Sequence, residues 1–117
     1  MARARAVTFI VSGQQLEAAG TVNSAAIDCS VFQEMTGILS VTVAAGTDPT
    51  LDVKFQVSID GTIWADLVAF TRATAATTER KALTNFGKWL RAVSAVGSSD
   101  TDGDFSFSLV ATGKMNP

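Results

Sequence analysis

The sequence predicts an all-β protein, a single-domain antiparallel β-sandwich built as an eight-stranded jelly roll. Runs of alternating apolar and polar residues recur along the 117 residues, and no window has convincing helical periodicity. Glycine, proline and aspartate punctuate these runs at regular intervals, as turns between strands require. A chain of this length forms one core, so residues 1–117 are predicted to be one domain. The predicted strands lie near residues 5–11, 24–28, 37–44, 50–58, 62–70, 77–84, 88–96 and 104–112, with irregular connections at 14–23 and 31–36.

The clearest hairpin lies in residues 51–64, which read L-D-V-K-F-Q-V-S-I-D-G-T-I-W. A three-residue loop over residues 59–61, closed by a left-handed Gly61, would pair Ser58 with Thr62. In that register Lys54 lies opposite Asp66. The core face then carries Leu51, Val53, Phe55 and Val57, opposite Ala69, Leu67, Ala65 and Ile63.

The same register predicts that Trp64 and Val68 lie on the outer face, together with Phe70 if the strand continues. These three are candidate interface residues, since Trp is enriched among residues that carry binding energy. Two other interpretations of Trp64 stay open. Its ring could lie on the stem of Gln56 or under a neighbouring loop, or it could stack on a sugar.

Composition argues against several classes of function. The net charge of -2 lacks the basic field that phosphate neutralisation needs, so no nucleic-acid partner is expected. Charged residues make up 17% of the chain, against about 25% in ordinary domains, which favours permanent protein neighbours, although small-residue strands also produce it. The chain has no His and no Tyr, so no catalytic residue is predicted and the protein is expected not to be an enzyme. Cys29, the single cysteine, is interpreted as an inert thiol.

The N-terminus is slightly basic, with Arg3 and Arg5 ahead of a short apolar run at residues 6–11. That run is shorter than an export signal or a membrane span, so we expect synthesis in the cytoplasm and no membrane partner. Residues 1–5 are either a frayed terminus or a docking arm. In the second case Ala2, Arg3 and Arg5 contact another protein.

Residues 98–104, S-S-D-T-D-G-D, are similar to part of a calcium-binding loop, because hard cations need several close oxygen ligands. The glycine precedes the third Asp, and no acidic residue follows at the far end. A solvated turn between strands is therefore the favoured interpretation. No metal site and no cofactor are predicted.

Three segments together resemble a family of small tailed-bacteriophage virion proteins of the head decoration, or cement, type. They are T-D-P-T-L-D-V-K-F-Q-V-S-I-D-G-T-I-W-A-D-L, G-K-W-L-R-A-V and F-S-F-S-L-V-A, within residues 37–113. Such proteins often carry Pro before the Asp-Gly, where this chain has Ile59. Pro suits a type I turn, so its replacement leaves the turn possible but less rigid.

The resemblance implies a structural role on the exterior of a virion. The chain would bind the outside of a phage head, stabilise the shell by bridging copies of the major capsid protein, and act there as a trimer or dimer. Neck, tail and head-fibre proteins are alternatives within the particle. A carbohydrate-binding module is the alternative from another class, with Trp64 and Trp89 as a stacking platform. The face of Trp89 stays open, because Leu90 and Val96 compete with Trp89 and Val93 for the interior.

Overall fold

A computed structural model describes residues 3–17, 20–30, 32–84, 87–97 and 104–115 of the chain. Every regular element in these ranges is a β-strand. In chain order they are β1 Arg3–Glu17, β2 Gly20–Asn23, β3 Ile27–Asp28, β4 Phe32–Ala45, β5 Thr50–Ser58, β6 Ala65–Ala69, β7 Thr77–Leu83, β8 Trp89–Gly97 and β9 Asp104–Met115.

The strands form two antiparallel sheets that pack face to face. One is four-stranded, in the order β1-β9-β4-β7, and the other is five-stranded, in the order β2-β8-β5-β6 with β3 also paired to β8. The chain passes repeatedly from one sheet to the other, so neighbours in a sheet are mostly distant in sequence. The predicted antiparallel β-sandwich is confirmed, and the strand order is compatible with a jelly roll.

The strand bounds differ from the sequence prediction mainly in the first third of the chain. β5 covers residues 50–58 as predicted, but β1 continues to residue 17 and β4 already begins at residue 32. The residues predicted to form irregular connections are therefore largely extended. β1 pairs with β9 from residue 3 to residue 17, and bulges between Phe9 and Gln14 shift the pairing register without ending the strand.

The core lies between the two sheets, and β4, β5, β8 and β9 contribute alternate residues to it. In β8 the alternation buries Leu90 and Val96, which places Trp89 and Val93 on the outer face and resolves the ambiguity left by the sequence. The largest fully buried side chains are Phe55, Phe105, Phe107, Leu39, Leu51, Leu83, Leu90 and Leu109.

The predicted register of the β5–β6 hairpin is wrong. Phe55 lies opposite Val68 and Gln56 lies opposite Asp66, which leaves Leu67 as an extra residue in a β-bulge. The loop is also longer than predicted and spans residues 59–64. A bulge inverts the alternation beyond it, so the side chains after Leu67 point the other way from the prediction.

The assignment of Val68 and Phe70 to the outer face is corrected accordingly. Phe70 is 4% exposed, and its ring centroid lies 5.7 Å from that of Phe55 in the core. Val68 is half-buried and packs against the same cluster. Ile63, which the prediction placed in the core, is instead 74% exposed.

Candidate protein-interaction surfaces

In the described part of the chain, the exposed large hydrophobic side chains form two groups. Ile59 and Ile63 lie in the loop between β5 and β6, at 83% and 74% exposure. Ile38, Val43 and Val110 lie on β4 and β9 of the four-stranded sheet, at 40–44% exposure. We call residues 59–63 the β5–β6 tip, and Ile38, Val43 and Val110 the sheet patch. Both surfaces are candidates for contact with another protein.

The β5–β6 tip is held in place by its own hydrogen bonds. The hydroxyl oxygen of buried Ser58 accepts hydrogen bonds from the backbone N–H groups of Asp60, at 3.2 Å, and Gly61, at 2.8 Å. Oδ1 of Asp60 accepts the N–H groups of Thr62 and Ile63, at 2.9 and 3.0 Å. Gly61 has a φ of 80°, which confirms the left-handed glycine that the sequence predicts. The loop therefore holds its shape while its isoleucines face solvent.

The hydrogen bonds of the tip also favour the ionised form of Asp60. Hydrogen bonds from the backbone of Ile63, then Thr62, and from the side chain of Ser58 hold the pKa of Asp60 below its ordinary value. These bonds favour the ionised carboxylate, so the tip is best ordered when Asp60 is charged. A largely apolar cavity of about 470 Å³ opens beside the tip, between Val57, Ala65 and Gly87.

Trp64, directly after the tip, is half-buried under a cation. The Cζ atom of Arg91 lies 4.3 Å from the centroid of the Trp64 ring. Arg91 also donates from Nε and Nη2 to Oε1 of Gln56, at 2.9 and 2.8 Å. The hydrogen bonds to Gln56 of β5 hold the guanidinium of Arg91 in place, so one face of the Trp64 indole is covered by this domain. The group that the structure places over this ring is Arg91.

The network continues from Gln56 to β6 and reaches the predicted ion pair. Nε2 of Gln56 donates to Oδ1 of Asp66 at 2.9 Å, and Nζ of Lys54 lies 3.1 Å from the same oxygen. The Lys54–Asp66 pair is therefore confirmed, but it runs diagonally, since Lys54 lies opposite Ala69. These contacts link β8, β5 and β6 across the outer face of the five-stranded sheet.

Trp89 also lies under a cation. Nζ of Lys88 lies 5.4 Å from the centroid of its ring. Each indole thus has a positively charged side chain over one face. The stacking platform for a sugar stays a prediction.

The predicted docking arm is partly described. Arg3 and Arg5 belong to β1 and lie opposite Met115 and Gly113 of β9, so their backbone is part of the four-stranded sheet. Ala2 lies outside the described residues. Contact of this segment with another protein stays a prediction.

Cys29 is fully buried, with Sγ 3.3 Å from the carbonyl oxygens of Gly87 and Lys88. Burial, and then the neighbouring charge of Asp28, raises the pKa of the thiol to about 11. This agrees with an inert thiol.

The remaining site predictions concern metals and membranes. Most of the calcium-like segment, residues 98–103, lies outside the described ranges. Within those ranges no group of three or more His, Cys, Asp or Glu side chains could hold a metal ion. The described residues include no helix long and apolar enough to cross a membrane.

Neither exposed apolar group was predicted from the sequence. Strict alternation placed Ile63 inside and drew no attention to Ile59. A signal was present, because Ser58 and Asp60 are residue types whose side chains bond to backbone N–H groups two or three positions ahead. Such a pair predicts a loop that closes on itself, so the residues between and after it need not continue the strand.

No protein-family model matches the sequence, and no curated protein matches it. Solved structures do match. The exported protein XepA of PBSX is 13% identical with a TM-score of 0.72, over 97% of this chain and 38% of that one. VP2 in a subviral particle of infectious bursal disease virus is 13% identical with a TM-score of 0.70, over 98% and 33%. A structure of the Gx strain of that virus is 12% identical with a TM-score of 0.66, over 97% and 32%.

The chain spans about a third of the length of each of these proteins. At this level of identity the likeness shows a shared fold, a β-sandwich of a kind that also occurs in a virus-particle protein.

Proposed function

We propose that the chain is a non-enzymatic structural protein of a phage virion, a decoration or cement protein that binds the outside of the head. The observation that carries the proposal is the β5–β6 tip, where Ile59 and Ile63 are held in solvent by a self-contained hydrogen-bond network. A rigid apolar projection on a soluble sandwich is explained by burial against another protein.

The tip suits binding because its shape is set in advance. Burying one isoleucine side chain is worth about 1.5–3 kcal/mol, and ordering a flexible loop would consume much of that gain. Here Ser58 and Asp60 have already ordered the loop. Trp64, directly after the tip, completes the proposed contact surface, and Ala2, Arg3 and Arg5 are proposed as an additional contact.

A cement function follows from mass action. A protein that binds only the assembled shell stabilises it against disassembly, in proportion to its occupancy. Contacts with several capsid subunits, or association of two or three copies, raise the effective concentration of each further contact. The likeness of the sequence to phage decoration proteins supports this role, and so does a fold shared with a virus-particle protein. Neck, tail and head-fibre locations are the alternatives within the virion.

The test is co-sedimentation with undecorated capsids of the phage that encodes the chain. We expect stoichiometric co-pelleting by the wild type and a loss of roughly tenfold or more in affinity for the double variant Ile59→Ser/Ile63→Ser. Ala75→Ser, in the exposed loop between β6 and β7, is the control and should bind like the wild type. A wild-type protein that stays in the supernatant would refute the cement role.

Two further measurements sharpen the result. Trp64→Ala at unchanged thermal stability should weaken capsid binding, and unchanged affinity would remove Trp64 from the contact surface. A glycan array should show no binding. A specific signal on it would favour the carbohydrate-binding alternative.

A further inference from the structure

The outer face of the four-stranded sheet has an apolar centre. Ile38 on β4 lies directly opposite Val110 on β9, and Val43 lies opposite Ser106 in the same pair of strands. Most of the described side chains around them on this face are small and uncharged: Thr36, Ser40, Ser106, Ser108 and Thr112, with Thr78 and Ala82 on β7. The exception is Arg80 of β7, which lies directly opposite Ile38. The charged side chains described on this face are Glu34, Arg80 and Asp104, which include both signs.

The outer face of the five-stranded sheet is built differently. It carries Asp52, Lys54, Asp66 and Arg91, joined to partners by ion pairs or hydrogen bonds. An antiparallel sheet with one face in water normally has polar residues on that face, and the five-stranded sheet follows this rule. The four-stranded sheet has hydroxyl side chains and few charges on its outer face, with Ile38, Val43 and Val110 exposed among them.

We propose that a second copy of this chain packs on the sheet patch, so that two four-stranded sheets meet face to face. Each outward residue of a sheet covers roughly 32 Å², so the four strands offer on the order of 750 Å². A stable interface buries about 800 Å² per partner, which this face approaches. The area therefore suits a dimer.

Charge and shape favour a second copy as the occupant. A two-fold interface brings the same surface of both copies together, which is costly where that surface carries like charges. The sheet patch itself is uncharged, and the charged residues described around it, Glu34, Asp104 and Arg80, include both signs. Twisted sheets with small outward side chains also pack closely on one another, at a separation of about 10 Å.

This inference deepens the proposed function by naming the surface through which decoration proteins would associate, and it rests on that function only for its role on the capsid. The β5–β6 tip lies in a loop of the other sheet, so association through the sheet patch leaves each tip to a capsid subunit. A dimer would then present two tips and gain the avidity that bridging requires.

The experiment is sedimentation or light-scattering mass measurement of the full chain without capsids. We expect the wild type to have twice the chain mass of 12.2 kDa and to dissociate on dilution. Ile38→Lys and Val110→Lys should raise the dimer dissociation constant roughly tenfold or more, because each places a charge in the apolar centre. Ile63→Lys makes the same kind of change at the tip and should remain dimeric.

Ile38→Thr supports the test if a lysine variant fails to fold, because Thr keeps a β-branched side chain in the strand. It should weaken the dimer in the same direction. A wild type of single-chain mass at all concentrations, or lysine variants as dimeric as the wild type, would overturn the proposal. Loss of capsid binding by Ile38→Lys, with a monomeric wild type, would show that the capsid covers this face. Failure of the wild type to bind capsids leaves the mass measurement unaffected.

Discussion

The ring of Phe55, in the five-stranded sheet, fills the space over Gly37 of the four-stranded sheet. A methyl carbon at position 37 would lie 2.9 Å from Cε2 and from Cζ of Phe55. The ring cannot withdraw easily, since it is fully buried and packs against Phe70. The absent side chain of Gly37 is thus part of how the two sheets fit together.

Replacement of Gly37 by alanine should therefore destabilise the fold. We expect Gly37→Ala to lower the free energy of unfolding by about 1–3 kcal/mol, because the added methyl overpacks the core. Urea denaturation measures this change. Gly97→Ala is the control: its methyl would meet only the hydroxyl of Thr50, a side-chain end that can move, so the change should stay within about 1 kcal/mol. Equal losses in both variants would contradict this account of the contact.

The stability of the tip should depend on pH through Asp60. The pKa of Asp60 is lower in the folded protein than the ordinary value of 3.8, because backbone N–H groups bond to the carboxylate. The stabilisation is fully present above the unfolded pKa and is lost as pH falls through the folded pKa. The amide resonances of Thr62 and Ile63 should therefore shift at a pH below 3.8. In Asp60→Asn that transition should vanish, and its persistence would assign it to another group.

The free energy of unfolding of the whole domain should likewise fall as the pH is lowered. Hydrogen bonds from Ser30, Gln56 and Thr71 are the largest causes that lower the pKa of Asp28, Asp66 and Glu79, respectively. Denaturation midpoints should be level near neutral pH and decline as the solution becomes more acidic than the ordinary pKa values of these groups. Denaturation curves from pH 7 down to about pH 3 would test this. A midpoint that rises on acidification would be inconsistent with it.

Removal of Arg91 should expose Trp64. In a Trp89→Phe background, Arg91→Ala should shift the fluorescence emission of Trp64 to longer wavelength, since the guanidinium no longer covers the ring. The loss in stability should be about 0.5–1 kcal/mol. Arg91→Lys is the informative control, because it keeps the charge but cannot reproduce the two-pronged contact with Gln56. An unshifted emission in Arg91→Ala would mean that Trp64 is covered by other groups.

Cys29 should report global unfolding. Its thiol is fully buried and its pKa is raised to about 11, so at pH 8 few molecules carry a thiolate and none is accessible in the folded chain. A thiol reagent should react slowly in buffer and rapidly in denaturing urea. The labelling rate across the urea series should follow the unfolding curve. Fast labelling in buffer would indicate local opening near β3 and β8.

Alternation in the sequence was sufficient to establish the fold class and most of the strands. Residues 50–58 form β5 as predicted, and Leu51, Val53 and Phe55 are buried as predicted, because a residue's face in a strand follows directly from the period of two. Turn chemistry likewise fixed Gly61 in the left-handed region. These are local properties, and local sequence is enough to determine them.

Only the tertiary structure decided which face Val68, Phe70 and Trp89 occupy. The extra residue at Leu67 moves the side chains that follow it in β6 to the opposite face of the sheet. No local preference separates this register from the predicted one, because both bury a row of apolar side chains. The register is decided by packing between the sheets. In the observed register the ring of Phe55 packs beside Phe70 and fills the space over Gly37 of the four-stranded sheet. The pairing of Ile38 with Val110, residues far apart in the chain, likewise exists only once β4 and β9 are neighbours.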